Sequence, residues 1–341
     1  MTRRNLTLLT GIVLIIVLGA LGGVVKVPYV ALGPGPTFNT LGEVSGKQVV
    51  DVEGTGTFPT SGNLNMTTVS VNDGITLFGA VGLWVSGRYG LVPRSEVYPP
   101  QKTAEQVAKE NTQAFAQSEN SAETAALKYL HYPTQVKVAA LTKGSPADGV
   151  LQPGDRLVSV DGKTVTDAEG LLKVLADRKP GEQAVLVYRR DGGPDTSATI
   201  TLGTRPDKDP RGFLGITPTD APDVSFSINF NLADIGGPSA GLMFSLAVVD
   251  KLTSGTLNDG KFIAGTGTID GAGKVGPIGG IPFKMLAAHE AGASVFLVPA
   301  VNCSEALQRA PSGLRLVKVE NLTTAVDALN TLTSGGDAPH C

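Results

Sequence analysis

The first long apolar stretch is unbroken. Leu6 through Val25 carries no charged residue, and roughly 20 such residues form a helix that spans a bilayer. Arg3 and Arg4 precede the run and only Lys26 follows it closely, a bias that puts the short leading segment on the cytoplasmic side. The run exceeds the about 7–15 apolar residues of a cleaved signal, and Ala20-Leu21-Gly22 is a poor small-x-small site. Residues 1–30 are therefore expected to be a cytoplasmic tail and a retained signal anchor, with the rest of the chain outside the cytoplasm.

Beyond the anchor the pattern changes repeatedly. Val27–Gly42 is rich in Gly and Pro and reads as an extended exit from the membrane. Gln48–Val69 suggests short strands, with "GNLNMTTVSV" the clearest alternation. Thr103–Leu130, rich in Ala, Glu, Gln and Lys, predicts one long helix or two, with Ser121 as a cap at the break. Residues 31–131 thus read as a mixed α+β region without visible chemistry. Tyr132–Pro206 is β-rich: "VKVAAL" alternates, a helix follows near Asp167–Ala176, and "QAVLVYRR" and "SATITL" are strand-like. Gly203–Asp223, with Pro206, Pro210, Pro218 and Pro222 among many charges, reads as a short semi-rigid linker. From Asp223 strands such as "KFIAGTGTI" and "SVFLVP" alternate with helices starting near Ser239, Pro282, Ser304 and Thr323, the pattern of an α/β or α+β domain. Pro282 suits the first position of its helix and Gly292 the residue past its end.

Composition narrows the classes. The 341 residues are 41% hydrophobic, enough for real cores, and a net charge of -3 gives no reason to expect nucleic acid. His131, His289 and His340 are scattered and no HExxH occurs, so neither a metal nor a cofactor is expected. "GAGKVG" around Lys274 fails as a phosphate loop, since position 268 is Thr and Val275 follows the lysine. Cys303 and Cys341 are the two cysteines. In an oxidising compartment they are expected to bridge, pinning the tail 336–341 back onto its domain.

Two resemblances add function to this outline. "GSPADG-LQPGDRLVSVDGKTV" (Gly144–Val165) resembles the PDZ domains of bacterial extracytoplasmic proteases, over residues 132–206. Its Asp161-Gly162 suits a type I′ hairpin turn. The resemblance implies that an extended peptide adds to a sheet edge, although the usual carboxylate-binding loop before the first strand is not found.

"GGPSAGLMFSLA" and "GTGTIDGAGKVGPIGGIPFKMLAAHEAG" resemble the two signature blocks of the Lon-type protease domain, here over residues 211–335. The resemblance implies Ser239 as nucleophile, Lys284 as general base and Thr266 as the residue orienting the pair. Gly236, Gly237 and Ala240 are implied around the oxyanion and the substrate backbone. Gly236 and Thr268 stand where many family members carry an acid and Glu. His289, more than a helical turn beyond Lys284, is read as a surface residue.

The residue types suit that chemistry. A serine hydroxyl needs a neighbouring base, and a lysine serves only if burial keeps its amine neutral. Taken alone, Ser239 before an apolar helix reads as an ordinary N-cap. Anchor, PDZ segment and Lon-type domain in series resemble the membrane-anchored PDZ–Lon proteases, which implies an ATP-independent serine endopeptidase acting on unfolded segments or protein C-termini. Lon-type rings make a homo-oligomer an expectation by analogy. The competing class is a PDZ scaffold whose Lon-like domain recognises chains without cutting them.

Overall fold

A computed structural model describes residues 3–206, 209–233 and 235–341. In chain order the main elements are α1 (Arg3–Val24), β1 (Tyr29–Asn39), β2 (Asn63–Asn72), α2 (Leu77–Val85), β3 (Gly90–Pro93) and α3 (Ala104–Tyr129). Next come β4 (Thr134–Leu141), β5 (Arg156–Val160), α4 (Ala168–Leu175), β6 (Gln183–Arg189), β7 (Thr196–Thr201) and β8 (Ile216–Pro222). The last group is α5 (Gly241–Leu252), β9 (Phe262–Gly265), α6 (Ile281–Glu290), β10 (Val295–Pro299), α7 (Cys303–Gln308), β11 (Arg315–Val319) and α8 (Leu322–Thr333).

These elements gather into two compact units that do not follow the chain simply. The first is made of Met1–Val52, Gly56–Ala122 and Ile228–Cys341, the second of Glu53–Thr55 and Glu123–Ser227. The segment read as a separate region, residues 31–131, is therefore divided between them. Its strands complete the sheet of the C-terminal domain, whose order is β11-β10-β9-β2-β1-β3. In that sheet β9, β10 and β11 run parallel, β2 runs parallel to β9 with Ile263 opposite Leu64, and β1 returns antiparallel to β2.

The Gly-Pro stretch read as an extended exit is thus a paired strand. Its glycines and prolines fall at a register shift between Pro34 and Thr37, where the strand bulges. Helix α6 packs on β1 and β2, and α5 on β2. Phe244 and Phe296 are among the largest fully buried side chains of the chain, with Leu64 and Met66. The tail lies along β11: the Lys318 N–H donates to the Pro339 carbonyl at 3.0 Å, and Cys341 is joined to Cys303 with their Cα atoms 5.2 Å apart.

The second unit holds a sheet of order β7-β6-β5-β4-β8, with Lys163–Thr164 added to β5. Its core includes Val136, Val138, Leu157, Val160, Leu186 and Ile200. Asp161 and Gly162 take positive φ of 50° and 74°, as a type I′ turn requires. The stretch read as a linker is part of this sheet, since β8 pairs antiparallel with β4 from Ile216 opposite Leu141 to Pro222 opposite Thr134. Prolines are tolerated there because β8 ends the sheet and needs no donor on its outer side. Helix α3 is continuous through Ser121, so no cap forms at that serine.

Candidate active site

Ser239 lies in a turn directly before α5, whose N-cap position is Ala240 and carries no side-chain cap bond. The serine is therefore not serving as the helix cap. A reciprocal clasp fixes its backbone. The Gly267 N–H donates to the Ser239 carbonyl at 3.0 Å, and the Leu242 N–H donates to the Gly267 carbonyl at 3.1 Å. Thr266, fully buried just past β9, adds a hydroxyl donating to the same Ser239 carbonyl at 3.2 Å.

Lys284 reaches this turn from the first helical turn of α6. Gly280 precedes that helix with φ of 71°, a left-handed conformation that costs glycine little. A Cβ there would lie 2.7 Å from Val69 Cγ2. Lys284 itself is 3% exposed. Its Nζ sits 2.7 Å from Ser239 Oγ and 2.9 Å from Thr266 Oγ1. Burial pushes the ammonium down from the ordinary 10.5 to about 8, because two hydroxyls replace only part of the hydration that a charged amine loses. Donating one N–H to Thr266 aims the lone pair of the neutral amine at the Ser239 hydroxyl.

The surroundings of the pair come from distant parts of the chain. A cavity of about 500 Å³ is lined by Met66 and Val69 of β2, Phe115 of α3, Gly236 to Ala240, and Pro277 to Gly279, with Lys284 at its wall. Helix α3, in which no chemistry was legible, holds the serine turn. The Ser118 hydroxyl donates to the Pro238 carbonyl at 3.0 Å, and the Asn111 carbonyl accepts from the Gly237 N–H at 2.9 Å. The Gly237 N–H is thereby occupied, so Gly237 shapes the turn and its N–H is not free for an oxyanion. Gly236 approaches Asn111, whose Cβ would lie 2.9 Å from an added Cβ. The N–H groups of Ser239 and Ala240 have no acceptor among the described residues. His289 and Lys274 are exposed and stand apart from the pair.

In the second unit, β8 is a terminal strand entered through Phe213-Leu214-Gly215, with Gly215 at φ of 85°. Helix α4 contacts β8 and leaves Leu172 exposed.

Comparison with known proteins finds two family models that match the chain. Residues 108–202 match the PDZ domain model, and residues 233–331 match the Lon protease (S16) C-terminal proteolytic domain. Lon protease 1 of Herpetosiphon aurantiacus is 45% identical over 69 residues, which is 20% of this chain and 8% of that protein. The Lon protease of Phenylobacterium zucineum is 32% identical over 120 residues, 34% of this chain and 15% of that one. The chain therefore spans a small fraction of the length of the curated relatives it matches. The PDZ domain of an SdrC-like protein from Listeria monocytogenes aligns at 26% identity over 24% of this chain and 85% of that chain, with a TM-score of 0.23. Two family models thus match separate stretches of one sequence, that of the PDZ domain and that of the Lon protease (S16) C-terminal proteolytic domain, and the second supports a serine peptidase of the Lon type.

Proposed function

We propose that the protein is a membrane-anchored serine endopeptidase that cuts extracytoplasmic polypeptides without ATP. The observation that carries this reading is the 2.7 Å approach of Lys284 Nζ to Ser239 Oγ, with the amine buried and the nearest other partner a threonine hydroxyl. Ser239 Oγ attacks the substrate carbonyl carbon while its proton passes to Lys284 Nζ. The oxyanion takes the N–H groups of Ser239 and Ala240. Collapse breaks the C–N bond, and the departing amine takes the proton from Lys284. Water then repeats the cycle on the acyl-enzyme, again through Lys284.

Helix α1 supports the anchor, being long and apolar enough to span a bilayer, with the two arginines on its leading side. The PDZ unit supplies substrate selection: an extended C-terminal or unfolded segment pairs with the outer edge of β8, beside α4. Pro218 and Pro222 lack N–H groups and the Gly215 carbonyl is taken by the Thr142 N–H, so pairing concentrates at Ile216.

The test is hydrolysis of an unfolded protein by the full chain in vesicles, without nucleotide, beside Ser239→Ala. Cleavage abolished by the alanine supports the peptidase. Binding without cleavage in both forms supports a scaffold and overturns it.

A further inference from the structure

We propose that α2 is a second membrane attachment, lying in the outer interface of the bilayer beside the exit of α1. This rests on the reading of α1 as a membrane span.

The sequence from Gly74 to Gly87 carries no charge, and α2 points its apolar residues outward. Ala80 is buried against the fold, whereas Leu77, Phe78, Val81, Trp84 and Val85 are exposed, Trp84 by 64% and Val85 by 70%. At 100° per residue these five fall on one face. A helix of a water-soluble fold turns such a stripe inward.

What covers the face follows from its neighbour. Helix α2 packs on α1, and the contact is specific: a Cβ on Gly22 would lie 2.5 Å from Phe78 Cζ. Gly22 stands three residues inside Val25, the end of the uncharged run. At about 1.5 Å of rise per residue, Phe78 meets α1 roughly 5 Å below that boundary. Interfacial helices bury their apolar face to about 5–10 Å, so the depth matches lipid. Leu21, Val24 and Val25, at the same end of α1, are exposed as well.

The flanking charges lie in ion pairs. Asp73 holds Arg94 at 2.8 Å, and Arg88 pairs with Glu290 of α6. Trp84, an amphipathic ring of the kind enriched at membrane interfaces, sits in the last turn. Two attachment points on one unit would fix its tilt on the bilayer, where α1 alone leaves it free to swing.

Trp84 is the single tryptophan of the chain, so the intact protein carries its own probe. The full chain is reconstituted in phosphatidylcholine–phosphatidylglycerol vesicles, and Trp84 emission is followed. The expected result is loss of most emission with lipid brominated near the carbonyl end of its chains, and little loss with aqueous iodide. Val81→Glu with Val85→Glu should reverse both responses and shift emission to the red, while hydrolysis of a short peptide is retained. Iodide quenching of the unaltered chain, in vesicles from which alkaline carbonate cannot extract it, would overturn the proposal while leaving the anchor intact. Extraction by carbonate would instead remove the anchor and this proposal together. Shielding from both quenchers would show a protein partner, such as a second copy, on the face and would also overturn it.

Discussion

Helices α2 and α5 are both apolar along nearly their whole length, and the fold treats them oppositely. From Gly241 to Asp250 every residue of α5 is buried, whereas α2 buries only Ala80. Composition does not separate them. Their neighbours do: α5 packs against β2 and α8 in the middle of a unit, while α2 stands at its margin against α1. The burial of α5 also has a chemical purpose, since the helix fixes the turn that presents Ser239.

The sharpest way to break this comparison is at the mouth of α5. Ser239→Ala should lower kcat by at least about 10³-fold, as removing one member of a unit does. Lys284→Arg should fail similarly, because a guanidinium stays protonated. Steady-state hydrolysis of a fluorogenic peptide measures both, and residual activity within tenfold of the parent would remove the pair from the mechanism.

Next in size is the interior of α5 against the face of α2. Phe244 packs on Phe115 and Phe230, with ring centroids 5.7 and 4.7 Å away. Phe244→Ala should cost about 3–5 kcal/mol, and Val85→Ala should stay within about 0.5 kcal/mol in detergent. Urea unfolding of the solubilised full chain compares the two directly. Equal losses would mean that α2 is a core helix.

The pH dependence of the dyad is expected to be slightly smaller. Hydrolysis needs the neutral Lys284 amine, so kcat should rise about tenfold per unit below pH 8 and level off above it. Stability follows the same direction. The folded value of about 8 lies below the ordinary 10.5, so the burial penalty is present in full below pH 8 and is relieved as pH climbs toward 10.5. Lys284→Met should therefore be inactive yet more stable at pH 7, by up to about 3 kcal/mol. A destabilised methionine variant would argue that Lys284 is not buried as a charge.

The smallest expected effect concerns the support behind the turn. Ser118→Ala removes the donor to the Pro238 carbonyl and should cost about 1 kcal/mol, with kcat falling and KM nearly constant. A change confined to KM would place Ser118 in substrate binding instead.

How much of this was legible depended on how local the information was. Ser239, Thr266 and Lys284 sit in short blocks whose resemblance to a protease domain singled them out, and the fold brings the three side chains together, while the cysteine pair was legible because the chain has two cysteines. Asn111, Phe115 and Ser118 lie in an unremarkable Ala- and Glu-rich helix, and only the closed sheet brings them to the serine. Prolines misled twice, once at the bulge in β1 and once in β8, because a bulge and an outer strand both accept residues that a central strand rejects. Helix α2 drew no reading, since a nine-residue apolar segment is too short to announce a span and too apolar to announce a surface.

Strand β2 has a consequence for how a newly made chain matures. Its Thr67 hydroxyl meets the carbonyl of Gly265, 198 residues later. Synthesis therefore produces β1 and β2 first and then the contiguous stretch from Glu123 to Ser227, whose strands pair mostly with close neighbours and whose loop closures are short. The sheet that brings Thr266 and Lys284 to Ser239 closes only after β9 and α6 have emerged. The PDZ unit can thus be complete while the dyad does not yet exist, and the nascent chain passes through its most vulnerable, unfolded period unable to cut anything, itself included.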